Sequence, residues 1–173
     1  MSSTEIGESL VGAYLRYIEG CSLVLYNCFL GGKQGEVDVV AIMPPTQGTR
    51  RTVLLCEVTT HIRGMSAETV KKVPAKLERL HEYAQETFPG DEHHFQWWSP
   101  YVPQGKATDG FAKLEVAWKK RKCSLEFVIN DDYTERIAEL IQYASKNPSA
   151  TSEPAYRMLQ MLTRLRGPNK PTL

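Results

Sequence analysis

The spacing of apolar residues near the start of the chain predicts an amphipathic helix. Apolar side chains recur at every fourth position, namely at Ile6, Leu10, Tyr14 and Ile18. This spacing places them on one helix face. Residues 2–5 fit a capping box, with Ser2 as the N-cap and Glu5 three positions later. Gly20 follows the last turn and can end the helix.

Three runs rich in β-branched and aliphatic residues come next and predict three strands. They cover residues 22–28, 36–43 and 52–60. Two glycines separate the first run from the second, and two prolines close the second. Because residues 46–51 form a short polar turn, the second and third runs are predicted to form a hairpin.

The second half of the chain alternates helical and strand patterns. Helices are predicted over residues 73–88 and 153–165, and strands over residues 94–101 and 124–129. Residues 108–120 fit either type, and their pattern favours a helix. Pro74 is expected at the first position of its helix. Asn130 or Asp132 is expected to cap a further helix before the final one.

This order of elements predicts an α/β protein with a mixed sheet flanked by helices. A length of 173 residues corresponds to one domain. Hydrophobic residues make up 42% and charged residues 24% of the chain. Such a composition excludes a disordered protein and is sufficient for a hydrophobic core.

The sequence also bears on location. The N-terminus has neither the basic nor the apolar region of a signal peptide, and no apolar stretch approaches the length that spans a membrane. The four cysteines form no zinc-binding pattern. We therefore expect free thiols in a protein of the reducing cytoplasm, without membrane contact.

Two acidic residues interrupt runs that otherwise resemble buried strands. Asp38 and Glu57 lie among aliphatic residues. Burying an unpaired carboxylate in such a place costs on the order of several kcal/mol of folding free energy. A cation, hydrogen bonds, solvent access or a metal ion must compensate. If the two strands pair with these faces on the same side, the carboxylates converge. Oxygen ligands of this kind suit Mg²⁺ or Mn²⁺ rather than zinc.

Several motifs in this order resemble the PD-(D/E)XK nuclease superfamily, and specifically its small bacterial branch related to Holliday-junction resolvases. The family carries G-E-[IV]-D-[LV]-[IV]-A on one strand and V-E-V-K-T on the next. The corresponding stretches here are residues 35–41 (GEVDVVA) and 56–60 (CEVTT). Further matches lie in the first helix, the first strand and the start of the next helix: Gly7-Glu8, Tyr14-Leu15, Asn27 and Pro74-Ala75-Lys76. Together they cover about half of the chain, residues 6–84.

The resemblance implies a restriction-endonuclease-like core of order αβββαβ in residues 1–130, with residues 131–173 as a helical extension packed on the same domain. It implies metal-dependent hydrolysis of phosphodiester bonds in DNA. Asp38 and Glu57 would ligate Mg²⁺ or Mn²⁺, and Glu8 would join them directly or through water. Glu36 would be auxiliary at most. By analogy, an enzyme that cuts both strands could work as a homodimer.

The chain departs from the family at one position. The family's E-x-K motif places a lysine two residues after the second acid, where this chain has Thr59. Lys76 is the leading candidate to replace that lysine and Lys72 the second. Lys33 and His61 are further options. Each helix lysine also fits an ordinary solvated face.

Two functions therefore stay open. The first is a metal-dependent DNA endonuclease. The alternative is a catalytically impaired protein with a nuclease fold that acts as a nucleic-acid-binding or scaffold module. Thr59 favours the alternative, and the joint presence of Glu8, Asp38 and Glu57 favours the first.

The charge distribution limits how the protein could meet nucleic acid. The net charge of +1 excludes binding by bulk positive charge. The densest basic run could contact DNA phosphates or form a solvated turn; it consists of Lys119, Lys120, Arg121 and Lys122. The aromatic residues Trp97 and Trp98 could stack on bases, but a core strand is the favoured interpretation.

Overall fold

The computed structural model describes residues 5–30, 35–45, 50–60, 64–65, 67–121 and 123–165. In chain order these residues form ten elements: α1 (Ile6–Tyr17), β1 (Leu23–Phe29), β2 (Glu36–Ile42), β3 (Thr52–Val58), α2 (Ala67–Thr87), β4 (Glu92–Ser99), α3 (Lys106–Lys119), β5 (Ser124–Ile129), α4 (Asp131–Lys146) and α5 (Pro154–Leu165). The predicted mixed α/β architecture is confirmed, including the helix favoured over residues 108–120.

All five strands form one sheet in the order β1-β2-β3-β4-β5. The first three strands pair antiparallel, and β3, β4 and β5 pair parallel. Short connections suffice for the antiparallel part, whereas each parallel pair needs a crossover, which α2 and α3 supply. The parallel pairing brings the last residues of β3 and β4 to the same end of the sheet.

Helices cover both faces of the sheet and enclose two hydrophobic clusters. On one face, α1, α4 and α5 pack around Tyr14, Trp98 and Tyr156. On the other, α2 and α3 pack around Leu77, Phe95 and other apolar residues. The C-terminal helices thus share a core with the first helix and the sheet. Among the described residues, no helix combines the length and the apolar character that a membrane crossing requires.

The start of α1 differs from the predicted one. The helix begins at Ile6, and Glu5, rather than Ser2, is its N-cap. The carboxylate of Glu8 accepts a hydrogen bond from the Glu5 backbone N–H at 3.0 Å. An acid at the third helical position satisfies one of the free N–H groups at a helix start, which explains why the helix begins here. Ser2 lies outside the described residues.

The predicted position of Pro74 is also wrong. It lies inside α2, seven residues after the helix begins, rather than at the first position. An interior proline costs about 3 kcal/mol because it removes a backbone hydrogen bond. Val73 and Leu77 on either side are fully buried, and burying each such side chain contributes about 1.5–3 kcal/mol. Tertiary packing therefore outweighs the local preference.

Asn130 is the N-cap residue of α4, which confirms one of the two predicted caps, Asn130 rather than Asp132. Its side chain does not cap the helix but binds the loop before α3. The Val102 backbone N–H donates to Asn130 Oδ1 at 2.8 Å, and Asn130 Nδ2 donates to the Val102 carbonyl at 3.1 Å. The residue thereby joins two loops at the end of the sheet.

A glycine allows α1 to pack closely on β1. A Cβ atom on Gly12 would lie 2.1 Å from the hydroxyl oxygen of Tyr26. That hydroxyl donates a hydrogen bond to Glu153 at 2.6 Å, which ties it to the start of α5. Tyr26 therefore cannot move aside without breaking this link between β1 and the C-terminal helices.

We expect Gly12→Ala to lower the free energy of unfolding by about 1–3 kcal/mol, the usual cost of overpacking a filled core. Gly110→Ala is the matched control, because a Cβ there meets no atom within 4 Å. The control should gain up to about 1 kcal/mol from helix propensity. Urea denaturation of both variants checks this, and equal effects would contradict the packing argument.

Candidate functional site

The structure brings Asp38 and Glu57 together on one face of the sheet. In the register of β2 and β3, Val39 pairs with Cys56, so Asp38 and Glu57 are the next residues along the two neighbouring strands. Directly opposite residues of antiparallel strands share a face. Both acids lie on the face covered by α2. Trp97 of β4 is the residue that pairs with Glu57 of β3.

Asp38 is anchored to the neighbouring strand. Its Oδ2 atom accepts a hydrogen bond from the Val58 backbone N–H at 2.7 Å. Only 8% of the residue is exposed. One carboxylate oxygen is therefore held near the end of β3, next to Glu57.

Glu57 is completely buried. Within the described residues, neither of its carboxylate oxygens has a hydrogen-bond partner other than the cation described next. Burial and the adjacent Asp38 carboxylate raise the pKa of Glu57 to about 8, against the opposing effect of a nearby lysine. Burial and the neighbouring carboxylate thus destabilise the charged form of Glu57 even though a lysine lies close.

Lys76 supplies a cation from α2. Its ammonium group forms an ion pair with Glu57 Oε2 and lies 3.9 Å from Asp38 Oδ2. It also lies 5.7 Å from the centre of the Trp97 ring. Burial opposes the charge on Lys76, but Glu57 and Asp38 outweigh it and raise the pKa of the ammonium group. Position 59 holds a threonine instead of the lysine of the motif, and Lys76 of the following helix supplies the positive charge beside the two acids.

Glu8 lies at the border of this acid pair. Burial, followed by the nearby Asp38 carboxylate, raises the pKa of Glu8, although hydrogen bonds from Glu5 and Asn27 oppose the shift. Gly7 allows this approach: a Cβ there would lie 2.2 Å from Cγ2 of Thr60, just after β3. The start of α1 is thereby held against the end of β3.

The predicted auxiliary residues occupy different places. Thr59 and Glu36 line the same cleft as the acids. The Thr59 backbone N–H donates to the Trp98 carbonyl at 2.9 Å, so it continues the contact with β4. Lys72 also lines the cleft, but its ammonium group pairs with Glu68 at 3.0 Å and its side chain is 74% exposed. The predicted alternatives Lys33 and His61 lie outside the described residues.

The cleft has a volume of about 430 Å³. It is lined mainly by charged and hydroxyl side chains from α1, β2, α2 and the residues after β3, including Glu8, Asp38, Thr59, Lys76 and Arg79. Trp97 of β4 also borders it. Such a lining is polar enough for a hydrated ion or a phosphate group. It differs from the apolar pockets that bind most small organic ligands.

The donor atoms suit a hard divalent cation, although Lys76 now neutralises them. Across the described ranges, no group of three or more acidic, histidine or cysteine side chains is close enough to hold a metal ion. Mg²⁺ is commonly bound by only one or two carboxylates plus waters and substrate phosphates. The unpartnered oxygens of Glu57 beside Asp38 fit that mode, with the Lys76 ammonium as the cation between them.

The predicted nucleic-acid-binding run lies away from the cleft. Lys119 and Lys120 are exposed at the end of α3. Arg121 binds both carboxylate oxygens of Glu78 at 2.6 and 2.8 Å. It lines a separate cavity of about 830 Å³ that includes Glu92 at the start of β4, at the opposite end of the sheet from Glu57. Lys122 lies outside the described residues.

Two cleft residues did not emerge from the sequence. Trp97 was grouped with the core, and it is indeed nearly buried. Its ring nevertheless borders the cleft beneath Lys76. Arg79, one helical turn after Lys76, also lines the cleft. The i,i+3 spacing of Lys76 and Arg79 was a usable signal, whereas the position of Trp97 depended on the register between β3 and β4.

Comparisons with known proteins give little further guidance. No family model and no curated protein matches the chain. The structure of this chain shows low similarity to solved structures of the Acinetobacter baumannii Cap4 SAVED/CARF-domain containing receptor. The complex with 3'3'3'-cAAA is 8% identical with a TM-score of 0.46, and that with 2'3'3'-cAAA is 10% identical with a TM-score of 0.42. This chain is covered to 95% in both, but spans only 43% and 42% of the receptor chains. Similarity of this strength does not identify a fold family.

We expect Glu57→Gln to flatten the pH dependence of stability. The pKa of Glu57 is about 8 in the folded protein, above its ordinary value of 4.5. Between these values the folded state binds more protons than the unfolded state, so stability falls as pH rises. The free energy of unfolding from urea denaturation at about pH 5 and pH 8 should decrease less in the variant than in the wild type.

The exposed residue Glu135 provides the control for this comparison. Glu135→Gln should follow the wild-type pH dependence, because its side chain is solvated. Parallel curves for the wild type and Glu57→Gln would contradict the raised pKa of Glu57.

Proposed function

We infer that the protein is a metal-dependent DNA endonuclease that hydrolyses phosphodiester bonds. The observation that carries this proposal is the position of Lys76. Its ammonium group reaches Glu57 and lies 3.9 Å from Asp38. A lysine from α2 therefore meets the two acids that the sequence motifs single out, although position 59 is a threonine.

In this proposal Asp38 and Glu57 hold Mg²⁺ or Mn²⁺, and Glu8 joins directly or through water. The bound cation would polarise the scissile phosphate and lower the pKa of the attacking water. Asp38 is prepared for this role because the Val58 N–H fixes one of its oxygens. Glu57 is prepared because, among the residues that the structure describes, only Lys76 competes as a hydrogen-bond donor for its oxygens.

Lys76 has a second task in the proposal. An ammonium group has three donors, and its side chain is 34% exposed toward the cleft. It can therefore contact a phosphate oxygen or orient a water molecule while it remains near Glu57. Donors placed where charge develops in the transition state are a large contribution to catalysis. The Trp97 ring beneath the ammonium group limits where it can move.

The partner in this proposal is DNA, bound in the cytoplasm. The exposed lysines Lys119 and Lys120 would contact phosphates beyond the cleft, since they lie at the other end of the sheet. A homodimer would supply two cleavage sites for the two strands of a duplex. Residues 91–173 carry 12 basic and 10 acidic residues, so this half has a small positive charge of +2 for phosphate contact.

A second candidate has its own supporting observation. The Lys76 ammonium already neutralises the acid pair, and no described group of three potential ligands is close enough for a metal ion. A protein that uses Lys76 only to stabilise buried acids would have a nuclease fold without catalysis. It would act as a nucleic-acid-binding or scaffold module.

A cleavage assay tests the proposal. With branched, flapped and linear DNA in Mg²⁺ or Mn²⁺, the wild type should cleave at least one substrate. Asp38→Asn and Glu57→Gln should lower the rate by about 10²–10³-fold or more, and Lys76→Ala by about 10²-fold, as for other charge-stabilising groups. Lys71→Ala is the matched control, an exposed lysine of the same helix, and should retain wild-type activity.

Two outcomes separate the candidates. DNA binding without cleavage of any substrate would reject the endonuclease and support the binding module. Cleavage that is unchanged in Lys76→Ala would reject the role of Lys76 while leaving the acids as the site.

A further inference from the structure

The last helix, α5, carries apolar side chains on two different faces. Its inner face is buried in the core and includes Ala155, Tyr156 and Leu159. A second apolar row faces solvent; its members are Met158, Met161, Leu162 and Leu165, with exposed fractions of 41%, 61%, 44% and 52%. The spacing i, i+3, i+4 and i+7 makes these four residues one continuous stripe along the helix. We call them the outer stripe of α5.

The outer stripe concentrates apolar exposure in one place. Eleven large apolar side chains are exposed among the described residues, and four of them lie on this helix. Single exposed apolar residues are common on protein surfaces, whereas a contiguous apolar patch commonly marks an interaction site. Two of the four side chains are methionines, which are flexible and adapt to the shape of a partner. The outer stripe therefore has the character of a docking surface.

Two arginines border the outer stripe. Arg157 and Arg164 are exposed and lie seven residues apart, which places them on nearly the same side of the helix. Together with Met161 they line a cavity of about 360 Å³ between α5 and residues 148–150. Within the described part of the chain, neither guanidinium group forms an ion pair. Four other arginines do bind carboxylates, namely Arg16, Arg51, Arg121 and Arg136.

The charges decide which occupant fits this surface. The helix itself contains no acidic residue, so the α5 of a second copy would bring only further arginines to Arg157 and Arg164. Like charges across an interface repel, whereas carboxylates in the same place attract. A nucleic acid would pair with the arginines but would leave the outer stripe in water. An occupant with both an apolar face and carboxylates satisfies both parts of the surface.

We propose that the outer stripe of α5 is the docking surface for an acidic amphipathic helix of another protein. The apolar face of that helix covers the stripe, and its Asp or Glu side chains pair with Arg157 and Arg164. Helices recognised in this way use apolar anchors at i, i+3, i+4 and i+7 spacing. The surface lies on the sheet face opposite to the one that carries the acid cleft, so the proposal does not depend on the proposed function.

A pair of designed peptides tests the proposal. The first is a helix of about 20 residues with leucine along one face and glutamate beside it; the second has lysine in place of each glutamate. In fluorescence anisotropy with the full chain, the glutamate peptide should bind at least about 10-fold more tightly, because two attractive contacts become repulsive. No binding of the glutamate peptide up to about 1 mM, or equal binding of both peptides, would overturn the proposal.

Two variants locate the binding surface. Met161→Glu should raise the Kd of the glutamate peptide at least about 10-fold, since it removes a central anchor and adds a like charge. Val116→Glu is the matched control, because Val116 is 57% exposed, against 61% for Met161, and lies on α3 at the other face of the sheet. The control should keep the wild-type Kd. Equal Kd values for Met161→Glu and the wild type would place the peptide elsewhere and reject the proposal.

A double variant tests the role of the arginines. Arg157→Ala combined with Arg164→Ala should reduce the preference for the glutamate peptide to less than about threefold, because the apolar contact remains and the charge is removed. Its Tm should stay within about 2 °C of the wild type, as expected for exposed side chains. A preference that is unchanged in this variant would contradict the assigned pairing.

The same Met161→Glu variant tests the other occupants. Its sedimentation coefficient should equal that of the wild type; a change from dimer to monomer would show that a second copy covers the outer stripe. Neither protein should float with vesicles of phosphatidylcholine and phosphatidylserine. Vesicle binding by the wild type that is lost in Met161→Glu would assign the surface to an anionic membrane. Either of these two results would overturn the proposal.

Discussion

The rest of the site depends on the burial of one carboxylate. Glu57 lies inside the sheet with no exposed surface, and Lys76 is the cation that compensates its charge. A buried ion pair of this kind does not stabilise a fold more than apolar residues of the same volume would. The arrangement is therefore explained more readily by what the acids can bind than by stability. The buried carboxylate also requires that α2 pack over this part of the sheet, because Lys76 reaches Glu57 from that helix.

Three features of the fold assemble the cleft, namely a strand pairing, a crossover helix and a close contact at a glycine. The antiparallel pairing of β2 and β3 sets Asp38 beside Glu57. The α2 crossover, which the parallel pairing of β3 and β4 requires, carries Lys76 across the same face. The absence of a side chain at Gly7 lets the start of α1 approach the end of β3, which brings Glu8 to the border. Lys76 both supports the acids and competes with a divalent cation for them, and this competition underlies the two candidate functions.

Much of this could be predicted from local patterns. Runs rich in β-branched, aliphatic and aromatic residues located the strands within about two residues, and the two acids stood out because they interrupt apolar runs. Predictions failed where long-range packing outweighed a local signal. Pro74 lies inside α2 because Val73 and Leu77 are buried against the sheet. The start of the first helix was missed for a different reason, because a second local capping signal, the bond from the Glu5 N–H to the Glu8 carboxylate, sets it at Ile6.

The sequence by itself determined the mixed α/β architecture, the acid pair and the absence of a lysine at position 59, since these follow from residue identity and periodicity. Only the tertiary structure decided which lysine meets the acids. Lys72 and Lys76 lie one turn apart on the same helix, and sequence spacing cannot separate them. The packing of α2 on the sheet places the Lys76 ammonium against Glu57 and leaves Lys72 paired with Glu68 and largely exposed. The position of Trp97 beside Lys76 was likewise set by strand register, which depends on contacts between residues far apart in the chain.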